Sequence, residues 1–487
     1  MAAGGNLGGT AGVLFVFPSR ANVLGTFLLD EKFRAATRRG AGRTGRMCFL
    51  MKTMTGRTQG ADSSLREVLA MAAGETAQVH GIVHTLRDLG DVRFMLLRMP
   101  QGTLQCVLTG EGPSVREGDA VRASGEVAKD ERAPGGAELH VTALTVLASA
   151  AEPMPVPIGK NRMNLTLDTD LSLRFVTLRN LRRRAVFKVQ EGVVRGFREA
   201  LQREGFTEIH SPKIVAQNAE GGANLFRMEY FGRRAYLAQS PQFYKQAMVP
   251  VYERVFEIGP VFRAEKHNTQ RHLNEYTSMD FEMGFIESFE DVMQMETKVL
   301  QTIMQVLKTD YAPQLSLLGV TLPEVGEIPT VRFDEAKRMV SEKYHRPIRD
   351  PFDLEPEEEQ LISRLFEEEY GSEFVFVTHY PSKKRPFYAA DDPEDPRYTL
   401  SFDLLFRGLE VTTGGQRIHD YQTQVEKMRK KGLDPADFEG YLMIHKYGTC
   451  PHGGLGLGLE RLTSRLLGEN NVREACLFPR DQQRIEP

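Results

Sequence analysis

The sequence predicts two folded domains, a small all-β barrel followed by a larger α+β domain. Five short β-rich runs separated by turn residues occupy residues 75–147, which is typical of a small barrel such as an OB-fold. From about residue 170 onward, helical periodicity mixes with β-like runs of antiparallel type, which favours an α+β arrangement. The predicted organisation is a basic extension without stable structure, a barrel, a linker and the α+β domain, at residues 1–65, 70–148, 149–172 and 173–487.

Composition excludes several classes of protein. The 487 residues are 41% hydrophobic and 26% charged, values typical of folded globular proteins rather than disordered or fibrous ones. No run approaches the ~20 apolar residues of a membrane span, so we expect no membrane partner. The cysteines are far apart and form no CxxC pair, which excludes a disulfide scaffold and a cysteine zinc site and favours a reducing, cytoplasmic location. They are Cys48, Cys106, Cys450 and Cys476.

The first 65 residues differ from the rest of the chain. They contain nine Lys and Arg residues against three acids, together with many Gly and small residues. The apolar run at residues 13–17 is too short to span a bilayer, and the order of a signal peptide is missing. An organelle-targeting leader is one reading of this composition. We prefer a dispensable extension or a start codon assigned too early, with Met51 or Met54 as the start.

The predicted barrel strands follow one another in regular order. Turn residues separate them at 88–91, 100–102, 118–119 and 134–136. A segment with Pro153, Pro155 and Pro157 then has the composition of a linker and marks a domain boundary. The strands are predicted at residues 79–84, 92–98, 103–108, 120–127 and 138–147.

The α+β domain begins with a long amphipathic helix. Apolar residues recur at helical spacing through residues 186–204. Further helices are predicted at about 287–308 and 355–370. The β-like segments lie around 250–286, 373–380 and 398–415.

The densest chemical signal is a polar loop between two β-like runs at residues 261–276. It contains five potential cations within ten residues, which would make a poor core but could bind a triphosphate. A solvated hairpin tip is the alternative reading of the same pattern. These residues are Arg263, Lys266, His267, Arg271 and His272.

Two further patterns lie nearer the C-terminus. Glycines at alternate positions in residues 453–458 allow a strand to approach a neighbour or a ligand closely, and a helical run begins at Glu460. This is a weak match to a dinucleotide-binding loop, because no βαβ context surrounds it. Asp403 and Glu410 lie seven residues apart in an apolar run that we predict as one strand, where a bulge at Gly408 would bring them to one face. Acids in such a run require a partner or a bound cation.

Together these strings resemble the class II aminoacyl-tRNA synthetases, over roughly residues 75–487. The run Phe262-Arg263-x-Glu265 is similar to motif 2 of that family, and Gly456-x-Gly458-x-Glu460-Arg461 is similar to motif 3. The amphipathic helix and Ser211-Pro212 resemble motif 1. The strings at residues 239–246 and 414–419 resemble the aspartyl branch of archaeal and eukaryotic style.

The resemblance implies an ATP site with Mg²⁺. Arg263 and Arg461 would be the catalytic residues, and Arg263 would stabilise charge developing at the α-phosphate. Asp403 and Glu410 would hold Mg²⁺, which prefers hard oxygen ligands. The implied ATP-binding residues are Arg263, Glu265, His267, Arg271, His272, Leu273, Tyr276, Glu410, Gly458 and Arg461.

The resemblance also implies an L-aspartate site. Lys245 and Arg417 would bind the side-chain carboxylate, and asparagine would leave these two cations poorly paired. Glu220 and Asp280 would lie near the amino group. Gln242 and Thr413 complete the implied aspartate-binding set. The string Tyr447-Gly448-Thr449-Cys450-Pro451-His452 is more similar to asparaginyl enzymes, so an asparaginyl-tRNA synthetase is the alternative.

For the barrel, the resemblance implies binding of the tRNA anticodon by Phe94, Gln105 and Glu138. An aromatic ring can stack on an unpaired base, although Phe94 could equally be ordinary barrel core. His84 and Pro134 resemble the nondiscriminating enzymes, which charge both tRNA(Asp) and tRNA(Asn). Pro212 would lie at the interface of a homodimer. A catalytically inactive RNA-binding paralogue is a further alternative, although Arg263, Asp403, Glu410 and Arg461 are all present.

Overall fold

A computed structural model describes residues 62–216, 224–266 and 268–486. The predicted extension at residues 1–65 therefore lies almost wholly outside the described residues, and so do the candidate residues Glu220 and His267. In the described ranges, every helix is too short or too polar to cross a bilayer.

The five predicted barrel strands are confirmed. Their order in the closed barrel is β1-β2-β3-β5-β4. A short helix, α1 (Leu65–Ala70), precedes them and begins at Ser64, whose side chain forms a capping box with Glu67. The strands are β1 (Thr76–Asp88), β2 (Val92–Met99), β3 (Gly102–Thr109), β4 (Ala120–Lys129) and β5 (Ala137–Ala148).

Side-chain alternation separates the inside of the barrel from its surface. On β2, Met95, Leu97 and Met99 are buried in the barrel core. Phe94 and Leu96 point to the opposite face and stay partly exposed. The reading of Phe94 as ordinary core is therefore wrong, because strand periodicity places its ring on the outer surface.

An eight-stranded sheet forms the centre of the α+β domain, in the order β12-β13-β14-β15-β16-β11-β10-β6. Its inner pairings are antiparallel, while the pairs at both edges, β12 with β13 and β6 with β10, are parallel. A small sheet of order β7-β9-β8 lies beside it. The strands are β6 (Thr207–Glu208), β7 (Ile214–Val215), β8 (Arg227–Tyr230), β9 (Arg233–Leu237), β10 (Arg254–Phe262), β11 (Glu275–Gly284), β12 (Thr330–Arg332), β13 (Phe374–Thr378), β14 (Ser401–Phe406), β15 (Leu409–Gln416) and β16 (His452–Gly458).

Helices surround this sheet. The predicted helix at 186–204 is observed at Leu181–Arg203, and the two further predicted helices are observed at Glu290–Asp310 and Pro356–Tyr370. The full set is α2 (Leu167–Ser172), α3 (Arg174–Thr177), α4 (Leu181–Arg203), α5 (Gln242–Tyr252), α6 (Glu290–Asp310), α7 (Ala312–Leu318), α8 (Phe333–Tyr344), α9 (Pro356–Tyr370), α10 (Tyr421–Lys430), α11 (Glu439–Lys446) and α12 (Leu459–Leu466).

Helices α4 and α6 cover one face of the sheet and enclose the main core. Gly196 brings them close together, because a Cβ atom at this position would lie 2.7 Å from the Cα of Ile303. Buried residues such as Phe197, Phe281 and Phe402 fill the space between the helices and the strands. The other face of the sheet is left to form the site described below.

Residues 402–410 form a hairpin rather than the single strand predicted. Arg407 and Gly408 have positive φ angles of 47° and 77°, which suits a two-residue turn of type I′ between β14 and β15. The bulge lies at Val411 and not at Gly408, since Leu404 pairs with Thr412 while Leu405 pairs with Glu410. The start of the β-like segment predicted at 250–286 is also wrong, because α5 continues to Tyr252.

Glu296 on α6 is a carboxyl group in the interior. It is 1% exposed and lies beside Thr412, and burial raises its pKa to about 8. The folded protein therefore retains this proton up to about pH 8, whereas the unfolded chain releases it near pH 4.5. Stability should fall as the pH rises through this window.

Glu296→Gln removes this pH-dependent contribution without changing the shape of the side chain. We expect the variant to match the parent at pH 5 and to exceed its unfolding free energy by about 2–4 kcal/mol at pH 8.5. Urea unfolding at both pH values measures the difference. If the unfolding free energies of the two proteins changed equally between the two pH values, Glu296 would be ionised in the folded state.

Candidate active site

A cavity of about 440 Å³ opens on the face of the sheet opposite α4 and α6. It brings together residues that are widely separated in sequence. All fifteen described residues that were predicted to bind ATP, aspartate or a metal line this cavity. They are Gln242, Lys245, Arg263, Glu265, Arg271, His272, Leu273, Tyr276, Asp280, Asp403, Glu410, Thr413, Arg417, Gly458 and Arg461.

Strand β11 explains how one segment supplies both the core and the cavity. Met279, Phe281 and Met283 are buried in the apolar core. Ser278 and Asp280, which alternate with these residues along the strand, line the cavity. This division follows from the two-residue period of a strand.

The glycine-rich strand β16 forms the floor of the cavity. A Cβ atom at Gly454 would lie 2.2 Å from a carboxylate oxygen of Glu282, and one at Gly456 would lie 3.2 Å from Asp280. Larger side chains would therefore displace these two acids. The alternating glycines allow β16 to lie close to the acidic side chains of β11, as expected from the sequence.

Lys245 and Arg417 meet on this floor through a shared acid. The Nζ of Lys245 lies 2.9 Å from Asp280 and 3.3 Å from Glu282, and it donates to the carbonyl of Leu455. Arg417 donates from Nε to the same Glu282 at 2.9 Å and from Nη2 to the carbonyl of Gly454. Lys245 is 1% exposed. Burial opposes the charge of Glu282, but Arg417 and Lys245 hold its pKa below the ordinary value.

Arg263 and Tyr276 lie at the base of the polar loop between β10 and β11. The Arg263 guanidinium lies over the Tyr276 ring at 5.9 Å, and its Nη1 lies 3.7 Å from Glu265. Arg263 keeps 39% of its side chain exposed. The ring and the two charged groups therefore present a mixed aromatic and polar surface to the cavity.

The C-terminal segment holds the tip of this loop. Arg473 donates to the carbonyl of Thr269 at 2.9 Å and to the side-chain oxygen of Asn268 at 2.8 Å. Its Nε bonds Asp481 at 2.5 Å. The backbone N–H of Asn274 donates to the carbonyl of Arg480. The loop is thus positioned by residues some two hundred positions downstream.

Asp403 and Glu410 lie on the two arms of the hairpin, and both face the cavity. Arg385 donates to Asp403 at 2.7 Å, and Arg461 donates to Glu410 at 3.3 Å. Burial raises the pKa of Asp403 to about 6. Burial also opposes the charge of Glu410, but Arg461 holds its pKa below the ordinary value. Two hard carboxylates beside each other suit Mg²⁺.

Some residues of the site were not predicted from the sequence. Glu359 on α9 accepts hydrogen bonds from Arg271 and, at 2.9 Å, from the backbone N–H of Glu410, and burial raises its pKa to about 7. Arg385 lies 4.0 Å over the Tyr380 ring beside Asp403. The available signal for Arg385 was the cationic run at residues 383–385 after the fully buried strand β13.

The three predicted anticodon residues share one outer face of the barrel. Phe94 pairs across the ladder with Val107, and Gln105 pairs with Leu96 on the same two strands. Gln105 donates to Glu138 on β5 at 2.7 Å.

The other predicted tRNA and dimer residues lie elsewhere. Pro134 is exposed in the short 3₁₀ turn Pro134–Gly136 between β4 and β5. His84 is 1% exposed and contacts Arg98 at the base of the barrel. Pro212 is exposed just before β7. The structure thus groups the anticodon residues but separates His84 from them.

Two family models match the chain. Residues 166–482 match "tRNA synthetases class II (D, K and N)", and residues 77–147 match "OB-fold nucleic acid binding domain". Both matches agree with the sheet and barrel described above. The first covers the whole cavity.

Several known proteins are similar over most of their length. The aspartate–tRNA(Asp/Asn) ligase of Deinococcus radiodurans is 49% identical, over 87% of this chain and 98% of the relative. The aspartate–tRNA(Asp) ligase of Pyrococcus abyssi is 40% identical, over 86% and 98%. The crystal structure of asparaginyl-tRNA synthetase from Pyrococcus horikoshii with asparaginyl-adenylate superposes with a TM-score of 0.80 at 31% identity, over 88% and 99%.

Proposed function

Because the chain belongs to the class II tRNA synthetases for aspartate, lysine and asparagine, we propose that it attaches L-aspartate to tRNA(Asp) and also to tRNA(Asn). The observation that carries this proposal is the joint placement of Lys245 and Arg417 in one cavity with Arg263 and Arg461. The names of the relatives support it. The relatives at 48–49% identity are named for both tRNAs, whereas the Pyrococcus abyssi relative at 40% is named for tRNA(Asp) alone.

The reaction has two steps. An α-carboxylate oxygen of aspartate attacks the α-phosphorus of ATP, the bond to the β-phosphate breaks, and pyrophosphate leaves. The terminal ribose hydroxyl of the tRNA then attacks the acyl carbon of aspartyl-adenylate, and AMP leaves with the electron pair of the broken acyl bond. Neither step requires a covalent enzyme nucleophile, so positioning and charge stabilisation supply the catalysis.

ATP occupies the part of the cavity between the loop that joins β10 to β11, which we call the motif 2 loop, and the hairpin at residues 402–410. Arg263 stabilises the charge that develops on the α-phosphate, and Arg461 lies across the cavity to bind the nucleotide. Glu265 and Tyr276 bind the adenine by hydrogen bonding and stacking. Asp403 and Glu410 would hold Mg²⁺, and this ion would neutralise phosphate charge.

Aspartate occupies the floor of the cavity. Its side-chain carboxylate binds to Arg417 and Lys245. Contacts with Glu282 and with the backbone of β16 hold these two side chains in position. Asp280 lies next to Lys245 and takes the amino group. The side-chain amide of asparagine would turn N–H donors toward these cationic donors in place of a carboxylate oxygen, which discriminates against asparagine.

The barrel reads the anticodon through the face that contains Phe94, Gln105 and Glu138. The partial exposure of Phe94 on this face supports stacking on an unpaired base. We assign residues 70–148 to this anticodon domain and 173–487 to the catalytic domain. The exposed Pro212 supports a homodimer in which the two copies meet along the segment before β7.

Charging of purified tRNA(Asp) and tRNA(Asn) with labelled aspartate and labelled asparagine tests the proposal. We expect both tRNAs to accept aspartate and neither to accept asparagine. Aspartate transfer to tRNA(Asp) alone would remove the dual specificity. Transfer of asparagine would favour the alternative function, an asparaginyl-tRNA synthetase. The similarity to the Pyrococcus horikoshii structure is the observation that supports this alternative.

A further inference from the structure

Three arginines cross the junction between the barrel and α4. We call them the junction arginines: Arg98 on β2, Arg179 just before α4 and Arg184 in its first turn. Arg98 donates from Nη1 to the carbonyl of Arg179 at 3.0 Å. Arg184 donates in the opposite direction, to the carbonyl of Met99 at 3.1 Å. The barrel and the segment at the start of α4 therefore each donate an arginine hydrogen bond to the backbone of the other.

In the described part of the chain, none of the junction arginines forms an ion pair with a carboxylate. Burial together with Arg179 and Arg184 lowers the pKa of Arg98 to about 10. Like charges that are partly removed from water oppose folding unless an anion compensates them.

Neighbouring arginines on the same segment show the contrast. Arg174 is fully buried, and it pairs with Asp170 at 2.8 Å. Arg183, next to Arg184, pairs with Glu474 at 2.9 Å and also lies 3.4 Å from Asp170. The fold thus supplies acids to these two arginines and leaves the junction arginines uncompensated.

His84 contacts the Arg98 side chain but does not neutralise its charge. Val83 pairs with Leu97 while Thr85 pairs with Leu96, so His84 is the inserted residue of a β-bulge. The bulge turns its ring toward Arg98, with Nδ1 3.4 Å from Nη1. Burial, Arg98 and Arg184 lower the pKa of His84 to about 4, so the ring is neutral at pH 7 and adds no charge of its own.

Arg98 lies on the same outer surface as the anticodon residues. Phe94, Leu96 and Arg98 alternate along β2 with the buried residues of the barrel core. Four residues of strand separate Phe94 from Arg98 by ~13 Å. An RNA strand that reaches Phe94 and continues along this face would bring its backbone to the junction.

We propose that the junction arginines bind a phosphodiester of the tRNA, so that one backbone contact engages both domains. This inference rests on the proposed function. Guanidinium groups suit phosphate because they offer two parallel N–H donors, and the bound anion would compensate the three charges. The site would also make the relative position of the domains sensitive to bound RNA.

Arg179→Gln is the sharpest test, because no hydrogen bond or ion pair of this side chain is found among the described residues. The affinity of the full-length protein for tRNA(Asp) is measured by filter binding between 50 and 300 mM NaCl. We expect about five- to tenfold weaker binding at 100 mM NaCl and a salt slope reduced by about one. Aspartate-dependent ATP–pyrophosphate exchange should stay within about twofold, since it needs no tRNA.

Arg203→Gln is the matched control. Arg203 is on the same helix but is exposed and paired with Glu199, so its loss should leave the affinity and the salt slope unchanged. Inorganic phosphate at 10 mM serves as a small-anion competitor. If phosphate weakens tRNA binding by the parent but not by Arg179→Gln, phosphate and tRNA share this site, as the proposal expects. Equal competition in both proteins would contradict the proposal.

Unchanged tRNA binding in Arg179→Gln would also overturn the proposal. That result leaves the proposed function untouched, provided the parent protein still charges tRNA with aspartate. If the parent fails to charge either tRNA, the proposed function fails instead. The two failures are therefore distinguishable.

Discussion

Lys245→Met should reduce aspartate-dependent ATP–pyrophosphate exchange by about a thousandfold or more. The lysine contacts Asp280 and Glu282 in an almost fully buried position, so its loss removes a substrate cation, deprives Asp280 of its cationic partner and leaves Glu282 with Arg417 alone. Breaking a buried ion pair costs about 3–5 kcal/mol, so reduced stability is also expected. Steady-state exchange and thermal unfolding are measured on the same preparation.

A second variant separates binding from folding. Arg417→Lys keeps the positive charge but loses the forked donors that reach Glu282 and the carbonyl of Gly454. We expect KM for aspartate to rise about a hundredfold while KM for ATP changes little. Lys343→Met, on the surface of α8, is the control and should behave as the parent. Equal loss of affinity for both substrates would contradict the assignment of the floor to aspartate.

Arg263→Ala should lower the rate of adenylate formation by about 10²–10³-fold, the usual effect of removing one group that stabilises transition-state charge. The side chain is 39% exposed and its Nη1 lies 3.7 Å from Glu265, so we expect the fold to survive. Single-turnover measurement of aspartyl-adenylate isolates this step from product release.

Arg338→Ala on α8 is the control for Arg263→Ala. It also removes an exposed arginine beside glutamates, but one that does not line the cavity. An Arg263→Ala protein with the rate of this control would show that the motif 2 loop does not contact the reacting phosphate.

The barrel and the long helices were predictable because their periodicities are local. Alternation along β2 and β11, and helical spacing through α4, follow directly from the geometry of strands and helices. The hairpin at residues 402–410 was missed for a local reason as well. An Arg-Gly pair adopts a type I′ turn here, although Asn-Gly is the stronger signal.

Residues that act through tertiary contacts could not be predicted in the same way. Glu359 lies on a helix with five other glutamates, and nothing in the sequence distinguishes it from them. Only the packing of α9 against the hairpin brings its carboxylate to Arg271 and Glu410. The residues predicted from the motif strings line one cavity, although they come from separate parts of the chain.

Strand β16 contributes main chain to the floor of the cavity, since the carbonyls of Leu455 and Gly454 accept hydrogen bonds from the side chains of Lys245 and Arg417. Peptide oxygens cannot be exchanged by mutation as side chains can, and the glycines that expose them leave no room for larger residues. Engineering this pocket to accept a different amino acid must therefore act on its walls, at β11, α5 and the segment after β15. Sequence libraries that vary the glycine strand should yield misfolded protein rather than new substrates.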